Sequence, residues 1–463
     1  MSSVAIRDTE SGDRRSKWQL IVAVLSLAVL VLGLVRQVSP QPFQAPDFRN
    51  TYRAATALSE GTDIYAPAVE WVSTYKRGQP LTDQYFYAPT YALLLTPLTL
   101  LDYQTAIAVW GAFLLVFMCI AIYALFRATG PPPSLALVLG IAALASLMSA
   151  VRAEYFLGQA NLFMLACICS AIWARQTGRP VLAGCLLAVA LVTKPMLLLT
   201  TGFLIWKREF AFAFTTIAGF FVLLLAPFLW LGGDALTDLL TLWNFYSSQY
   251  LSFSENITPR GMFERLFTVN PFVQPLFEMP ILARALWLVV VAIVFVILFS
   301  IITPRPMKRD GRTLVEFGAI LSGLMLVSPL TEPPYLVLLI MPLVATIIYL
   351  RGVEWSVRPF IWVAIAVAGI WFLELVPRSL VEPRIWASFS KTDPYQSALI
   401  VLLAPTHFYI LLATFVLQVY VLTIESGSSL MTAVSRFVRT SPTLVGDLLK
   451  DLFTGRRVAD QRP

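Results

Sequence analysis

Charged side chains are what this sequence has least of. Asp, Glu, Lys and Arg make up 13% of its 463 residues, where soluble domains carry about 25%. That shortage excludes a water-soluble globule of this length, because such a chain could not solvate its own surface. Lipid must be the solvent for much of it: 58% of the residues are hydrophobic and mean hydropathy is +0.74. Histidine is nearly absent. The single one, His407, lies in an apolar run, where packing is its expected role. Cysteine is sparse as well, and Cys119, Cys167, Cys169 and Cys185 all fall in apolar runs, where the thiol behaves as a small hydrophobe. The Cys167-Ile168-Cys169 spacing suits neither a metal site nor a disulfide framework. No internal repeat is visible, which weighs against the paired or inverted halves of many carriers.

Positive charge is in excess, with a net +7 and pI 9.2. The Lys and Arg sit in short clusters between apolar runs, the pattern of cytoplasmic membrane loops and not of a nucleic-acid surface. A helix needs about 20 apolar residues to cross a bilayer. Candidate runs lie at 18–35, 103–126, 133–151, 159–175, 210–232, 282–303, 313–329, 334–350, 358–377 and 397–423. The first follows Arg14, Arg15 and Lys17 and lacks a small-residue cleavage site, so it reads as an anchor.

The stretch 180–206 fixes the expected topology. A single span there would separate Arg175 and Arg179 from Lys207 and Arg208. A break at Lys194-Pro195, where proline interrupts the helical ladder, folds the stretch into a hairpin and returns both clusters to one side. Every strong cluster then shares a face: the N-terminus, Arg127, Arg175/Arg179, Lys207/Arg208, Arg305/Lys308/Arg309/Arg312, Arg351/Arg358 and the tail. The positive-inside rule makes that face cytoplasmic. The expectation is an all-α polytopic membrane protein of the plasma membrane with about twelve spans and both termini inside. Its membrane domain covers 1–423, and 424–463 forms a cytoplasmic amphipathic tail. The opposite face carries long segments at 37–102, 233–281 and 378–396, and long loops among short ones usually carry function. Asn256-Ile257-Thr258, in the second of them, matches a glycosylation sequon.

The first long segment opens Ala45-Pro46-Asp47-Phe48-Arg49-Asn50-Thr51-Tyr52, with Phe48, Tyr52, Ala55 and Leu58 at helical spacing and Gly61 as the stop. Asp47, just ahead of that helix, reads locally as an N-cap. Further on come Gly61-Thr62-Asp63-Ile64-Tyr65 and Tyr85-Phe86-Tyr87-Ala88-Pro89. These aromatics suit either an interfacial belt or a substrate cleft, which keeps Tyr52 and Tyr87 as binding candidates. The run 91–101 is too short to span and suits a re-entrant or interfacial segment.

Taken with Gly158-Gln159-Ala160-Asn161 opening a span, Ala183-Gly184 leading to Lys194-Pro195, Pro97-Leu98 and Ser328-Pro329, these pieces resemble the bacterial polyprenyl-phosphate-dependent glycosyltransferases of the GT-C fold, in particular glycosyltransferase family 87. The resemblance covers about the first 200 residues. It implies an integral membrane enzyme that moves a hexose, often mannose, from a polyprenyl-phosphate donor to a hydroxyl of a lipid or glycan acceptor. Transfer would occur with inversion on the external face. The family pattern assigns Asp47 as the general base. A phosphate leaving group needs no general acid but does need cations or dipoles, and Lys194, at the tip of the broken hairpin, is the first candidate. Arg152 and Arg260 are alternatives. Gln159 and Asn161 are placed to meet sugar hydroxyls or to join helices. One departure stands out. Where the family often shows a histidine beside Tyr335, this chain has Pro334, and Glu332 adds a carboxylate close by. No cofactor or metal is implied beyond the lipid-linked sugar. The competing readings are a carrier or lipid flippase, and an inactive GT-C homologue serving as a scaffold.

Overall fold

The computed structural model describes residues 18–33, 35, 45–75, 84–352, 358–376, 378–425 and 429–454. The basic cluster Arg14, Arg15 and Lys17, the 76–83 part of the first long segment and the end of the tail lie outside the described residues. Every regular element among those described is a helix. After α1 (Trp18–Gly33) come the short helices of the first long segment, α2 (Pro46–Glu60), α3 (Ala66–Thr74) and α4 (Pro89–Leu95). Next is α5 (Tyr103–Thr129), whose 27 residues reach about 40 Å. Asp102 starts α5 by accepting hydrogen bonds from the Gln104 and Thr105 amides, both at 3.0 Å, two of the donors a helix start leaves open.

The single span expected over 133–151 is two helices, α6 (Leu135–Ser146) and α7 (Ser149–Leu157), bent by 80° at the break between them. No proline or glycine marks the break. One freed amide and one hydroxyl at the start of α7 are satisfied from far along the chain: Glu374 Oε2 accepts from Ser149 Oγ at 2.8 Å and from the Ala150 amide at 3.3 Å. His407 Nε2 meets the same hydroxyl at 2.8 Å. The packing role expected of His407 is thus a polar contact that helps hold the bend.

α8 (Asn161–Gln176) leads to α9 (Pro180–Thr193), α10 (Thr200–Trp206) and α11 (Phe210–Leu225), which α12 (Phe228–Leu231) extends. Lys194 breaks the ladder in extended conformation (φ −144°, ψ 94°), and Pro195–Leu199 form a 3-10 turn. Gly184 packs on Thr215 and Gly219 on Ala188, so α9 and α11 run in the same direction and α10 must return between them. A Cβ on Gly184 would come within 2.5 Å of Thr215, so that close approach requires glycine. The hairpin expected at Lys194-Pro195 is therefore present.

The remaining helices are α13 (Gly233–Gln249), α14 (Pro259–Phe267), α15 (Pro280–Ile301), α16 (Gly311–Val327), α17 (Ile340–Leu350), α18 (Arg358–Leu375), α19 (Arg378–Ser388), α20 (Pro394–Leu403), α21 (Thr406–Glu425) and α22 (Leu430–Thr454). Among the described residues five helices are long and apolar enough to cross a membrane: 103–129, 210–231, 280–301, 333–350 and 406–424. The bent α6–α7 pair makes six if it counts as one span. The chain is a polytopic all-helical membrane protein, but length and composition do not support the expected twelve spans. α1, α9, 195–206, 361–375 and α20 are apolar yet shorter.

The basic clusters gather at one end of the bundle. Arg175 pairs with Glu209, whose Oε1 also accepts from the Met307 amide at 2.7 Å. Lys207 pairs with Glu316, both almost wholly buried at 2% and 1% exposure. Arg309 donates to the Arg127 carbonyl at 3.3 Å, and Arg208 holds Asp451 of α22 at 2.7 Å. Asn256, the sequon residue, is fully buried and donates to the Leu251 and Pro329 carbonyls. A glycan has no room there, so the sequon is corrected to a loop brace.

Candidate active site

The polar residues that the sequence marks in separate segments converge at the end of the bundle opposite the basic clusters. α8 runs from Asn161 at this end to Arg175 at the other, and α9 climbs back to Lys194. α2 is seated by aromatic packing, with the Phe48 ring stacked on Trp110 at 5.9 Å. Trp110 Nε1 in turn donates to the Gly158 carbonyl at 3.2 Å. Gly158 ends α7 with φ +70°, and a Cβ there would meet Phe48 Cβ at 2.6 Å. Glycine thus serves two needs at one place, a left-handed turn and close contact with α2. Together these contacts set Asp47 beside Gln159.

Asp47 does not cap its helix. Ala45 is the N-cap, no side chain caps α2, and Asp47 lies in its first turn. The N-cap expectation is corrected: the half-buried carboxylate turns inward, and its Oδ2 accepts from Gln159 Nε2 at 2.6 Å. Gln159 Oε1 accepts from Asn161 Nδ2 at 2.7 Å and from Lys194 Nζ at 3.2 Å. Lys194 Nζ also sits 3.0 Å from the centre of the Tyr335 ring, whose π face attracts the cation. The charges of Asp47 and Glu332 bear on both Tyr335 and Tyr87. Asp47, Gln159, Asn161, Lys194, Tyr87, Glu332 and Tyr335 therefore form one cluster.

Glu154, which sequence reasoning passed over, organises that cluster from below. It is 0% exposed, and its carboxylate accepts from the Leu162 amide at 3.0 Å and from Asn161 Nδ2 at 2.6 Å. Both Glu154 oxygens accept here, and Asn161 presents its amide nitrogen to one of them. That orientation leaves the Gln159 oxygen facing Asn161 and Lys194, and the Gln159 nitrogen facing Asp47. The chain of bonds has a direction, and it holds Asp47 as an acceptor. Tyr91, buried on α4 and within the field of Asp47 and Glu154, was also passed over. The available signal was a carboxylate standing five residues before Gln159 in a largely apolar stretch.

Three candidates lie elsewhere. Tyr52 donates to the Leu101 carbonyl at 2.7 Å and packs edge-on against Tyr103; its phenol braces the loop. Arg152 is exposed and reaches the Leu375 carbonyl at 3.4 Å. Arg260 is paired with Glu264 at 2.5 Å and lies 5.0 Å over the Trp287 ring. Several other aromatics behave as Tyr52 does. Tyr65 donates to the Tyr87 carbonyl and Tyr85 to the Ala88 carbonyl, both at 2.7 Å, and Trp243 donates to the Phe86 carbonyl at 2.8 Å. Their polar atoms clamp loop carbonyls.

Pro334 is buried at the start of the 3-10 turn Pro333–Leu339, next to Tyr335. Glu332 precedes it and is half-buried. Burial, with Asp47 and Glu255 nearby, pushes its carboxyl upward, while Lys194 and Gln159 oppose the rise.

The sequence profile of glycosyltransferase family 87 matches residues 85–329. That segment contains Glu154, Gln159, Asn161 and Lys194; Asp47 lies before it, and Glu332 and Tyr335 just after. No curated protein and no solved structure matches the chain. With more than half of its 463 residues matched, the chain belongs to glycosyltransferase family 87.

Proposed function

We propose that this glycosyltransferase moves a hexose, mannose being the family's frequent choice, from a polyprenyl-phosphate donor to a hydroxyl of a lipid or glycan acceptor. Asp47 is the general base. Its Oδ2 is fixed by Gln159, and the carboxylate takes the acceptor's proton as the hydroxyl oxygen attacks the anomeric carbon. The bond from that carbon to the phosphate oxygen breaks with inversion, and the phosphate leaves with added negative charge. Lys194, at the external tip of its hairpin and held by Gln159 and Tyr335, offsets that charge. The observation that carries this reading is the direct bond between Gln159, inside the family-matched segment, and Asp47, outside it. It joins a base to a phosphate-binding cation through one amide.

The GT-C fold, about twelve membrane segments counting the short ones, a plasma-membrane location with both termini cytoplasmic and an external active site complete the proposal. A lipid-linked donor suits a site at the end of an apolar bundle, where its phosphate meets water while the prenyl chain stays in hydrocarbon. Pro334 removes the imidazole that the family often places here, and Glu332, with its raised carboxyl, is the group left to donate a hydrogen bond in its stead.

Membranes carrying the Asp47→Asn variant, supplied with polyprenyl-phosphate mannose, should lose transfer by roughly 10²–10⁴-fold while the protein inserts normally. Wild-type rates in that variant would remove Asp47 from the base role. In the same assay Lys194→Met should raise the donor concentration required more than the acceptor concentration. An unchanged donor dependence would remove Lys194 from the phosphate.

A further inference from the structure

Charge around Lys194 does not balance. The charges that bear most on its ammonium are all carboxylates: Glu154 from α7, Glu332 from the start of the 3-10 turn Pro333–Leu339, and Asp47. Glu154 and Glu332 alone outnumber the lysine, before Asp47 is counted. The site is therefore negative while both are ionised. A sugar joined to a polyprenol through phosphate is a phosphodiester, whose own negative charge does not titrate near neutrality. A site of that sign repels such a substrate unless one carboxyl gives up its charge.

Hydrogen bonding decides which one. Both Glu154 oxygens are engaged as acceptors, Oε1 by the Leu162 amide at 3.0 Å and Oε2 by Asn161 Nδ2 at 2.6 Å. Bonds donated to a carboxylate favour its charged form, so Glu154 stays ionised. Glu332 lacks that support. It occupies the N-cap position of its 3-10 turn, yet its side chain makes no capping bond. No backbone amide among the described residues donates to its carboxyl. The groups facing it are Lys194 from the hairpin, Asp47 from α2, Glu255 from the segment before α14 and Gln159 from the turn before α8. Tyr335 and Tyr87 lie alongside. Burial pushes this carboxyl upward, Lys194 opposes the rise, and Asp47 and Glu255 add to it.

We propose that the donor binds together with one proton, held by Glu332. In that form Glu332 is uncharged and donates its O–H to a phosphate oxygen. Lys194 then offsets the phosphate charge, and Asp47 remains ionised to act as base. The proton enters from solvent with the donor, stays on Glu332 through sugar transfer, and returns to solvent when the polyprenyl phosphate leaves. The inference rests on the sugar-transfer reading above and adds to it that donor affinity is set by pH.

The test is equilibrium binding of a polyprenyl-phosphate mannose to the full-length protein in phosphatidylcholine nanodiscs, from about pH 6 to 9. The wild-type dissociation constant should be flat at the acid end and then rise by up to about tenfold per pH unit. Glu332→Gln, whose amide is uncharged and still donates, should give a flat profile, and Glu332→Asp should keep the slope. On the rising limb, adding donor should withdraw protons from a weak buffer with the wild type and none with Glu332→Gln. A slope that persists in Glu332→Gln belongs to Lys194, and one that persists there but is lost in Glu154→Gln belongs to Glu154; either overturns the proposal. A flat wild-type profile overturns it as well, while leaving the phosphate role of Lys194 standing. Absence of binding at every pH overturns the donor assignment itself, and this inference with it.

Discussion

Lys194 announces itself in the sequence as a charge inside an apolar run, whereas Asp47 and Gln159 stand out only through the family resemblance. Glu154 is a charge of the same kind as Lys194, and wholly buried, yet it stands beside Arg152 in a stretch that also reads as a polar turn. Its meaning depends on Asn161, and that pairing exists only once α7 has bent and α8 has started. The charges at the site also carry a pH signature. The Glu332 carboxyl is raised above its ordinary value of 4.5, by burial first and then by Asp47 and Glu255. The folded state therefore binds a proton there more readily than the unfolded chain does. The stability this brings is complete at acid pH and declines as pH rises from about 4.5 toward neutrality. Glu332→Gln should accordingly raise the melting temperature at pH 8 more than at pH 5, read by thermal unfolding in detergent. An equal change at both values would mean the carboxyl does not titrate in that window.

At the scale of elements, the hairpin at Lys194-Pro195 was legible and the bend at 147–148 was not. Proline and a lysine inside an apolar run mark the first by local chemistry. The second depends on Glu374 and His407, more than two hundred residues away, acting in place of a local cap on α7. No window of sequence around Ser149 contains that information. The turn after α7 is different again, because Gly158 is both left-handed and pressed against Phe48. Gly158→Ala should combine a positive-φ penalty of about 1–2 kcal/mol with displacement of α2, so the protein should unfold at lower temperature and transfer sugar poorly. A variant with unchanged melting and activity would show that α2 shifts freely without disturbing Asp47.

For the whole molecule, the alignment of basic clusters read from sequence reappears as a physical end of the bundle, tied by Arg175–Glu209, Lys207–Glu316 and Arg208–Asp451. Charge asymmetry is a global property that a single sequence states outright. The number of spans is not, because helices as short as α9, with 14 residues, stop inside the bilayer thickness and escape any rule based on length. Sidedness can be measured with single cysteines in a chain whose four native cysteines are replaced by alanine. Thr62→Cys, exposed beyond α2, should react with an impermeant maleimide applied to intact cells, and Lys450→Cys, exposed on α22, only after lysis. The reverse pattern would place the active site on the cytoplasmic side.

The Lys207–Glu316 pair has a consequence in time. Its partners are 109 residues apart in the chain, and Lys207 is synthesised first. At about 5–20 residues per second, the lysine waits on the order of 5–20 s for its carboxylate. Over that interval the α9–α10 hairpin already occupies the membrane, and a lone ammonium cannot be buried there at tolerable cost. Lys207 must stay at the aqueous boundary until α16 arrives and draws it in. Closure of this part of the basic end therefore waits for Glu316, when the chain is about two-thirds made, and the Arg208–Asp451 tie of α22 follows later still.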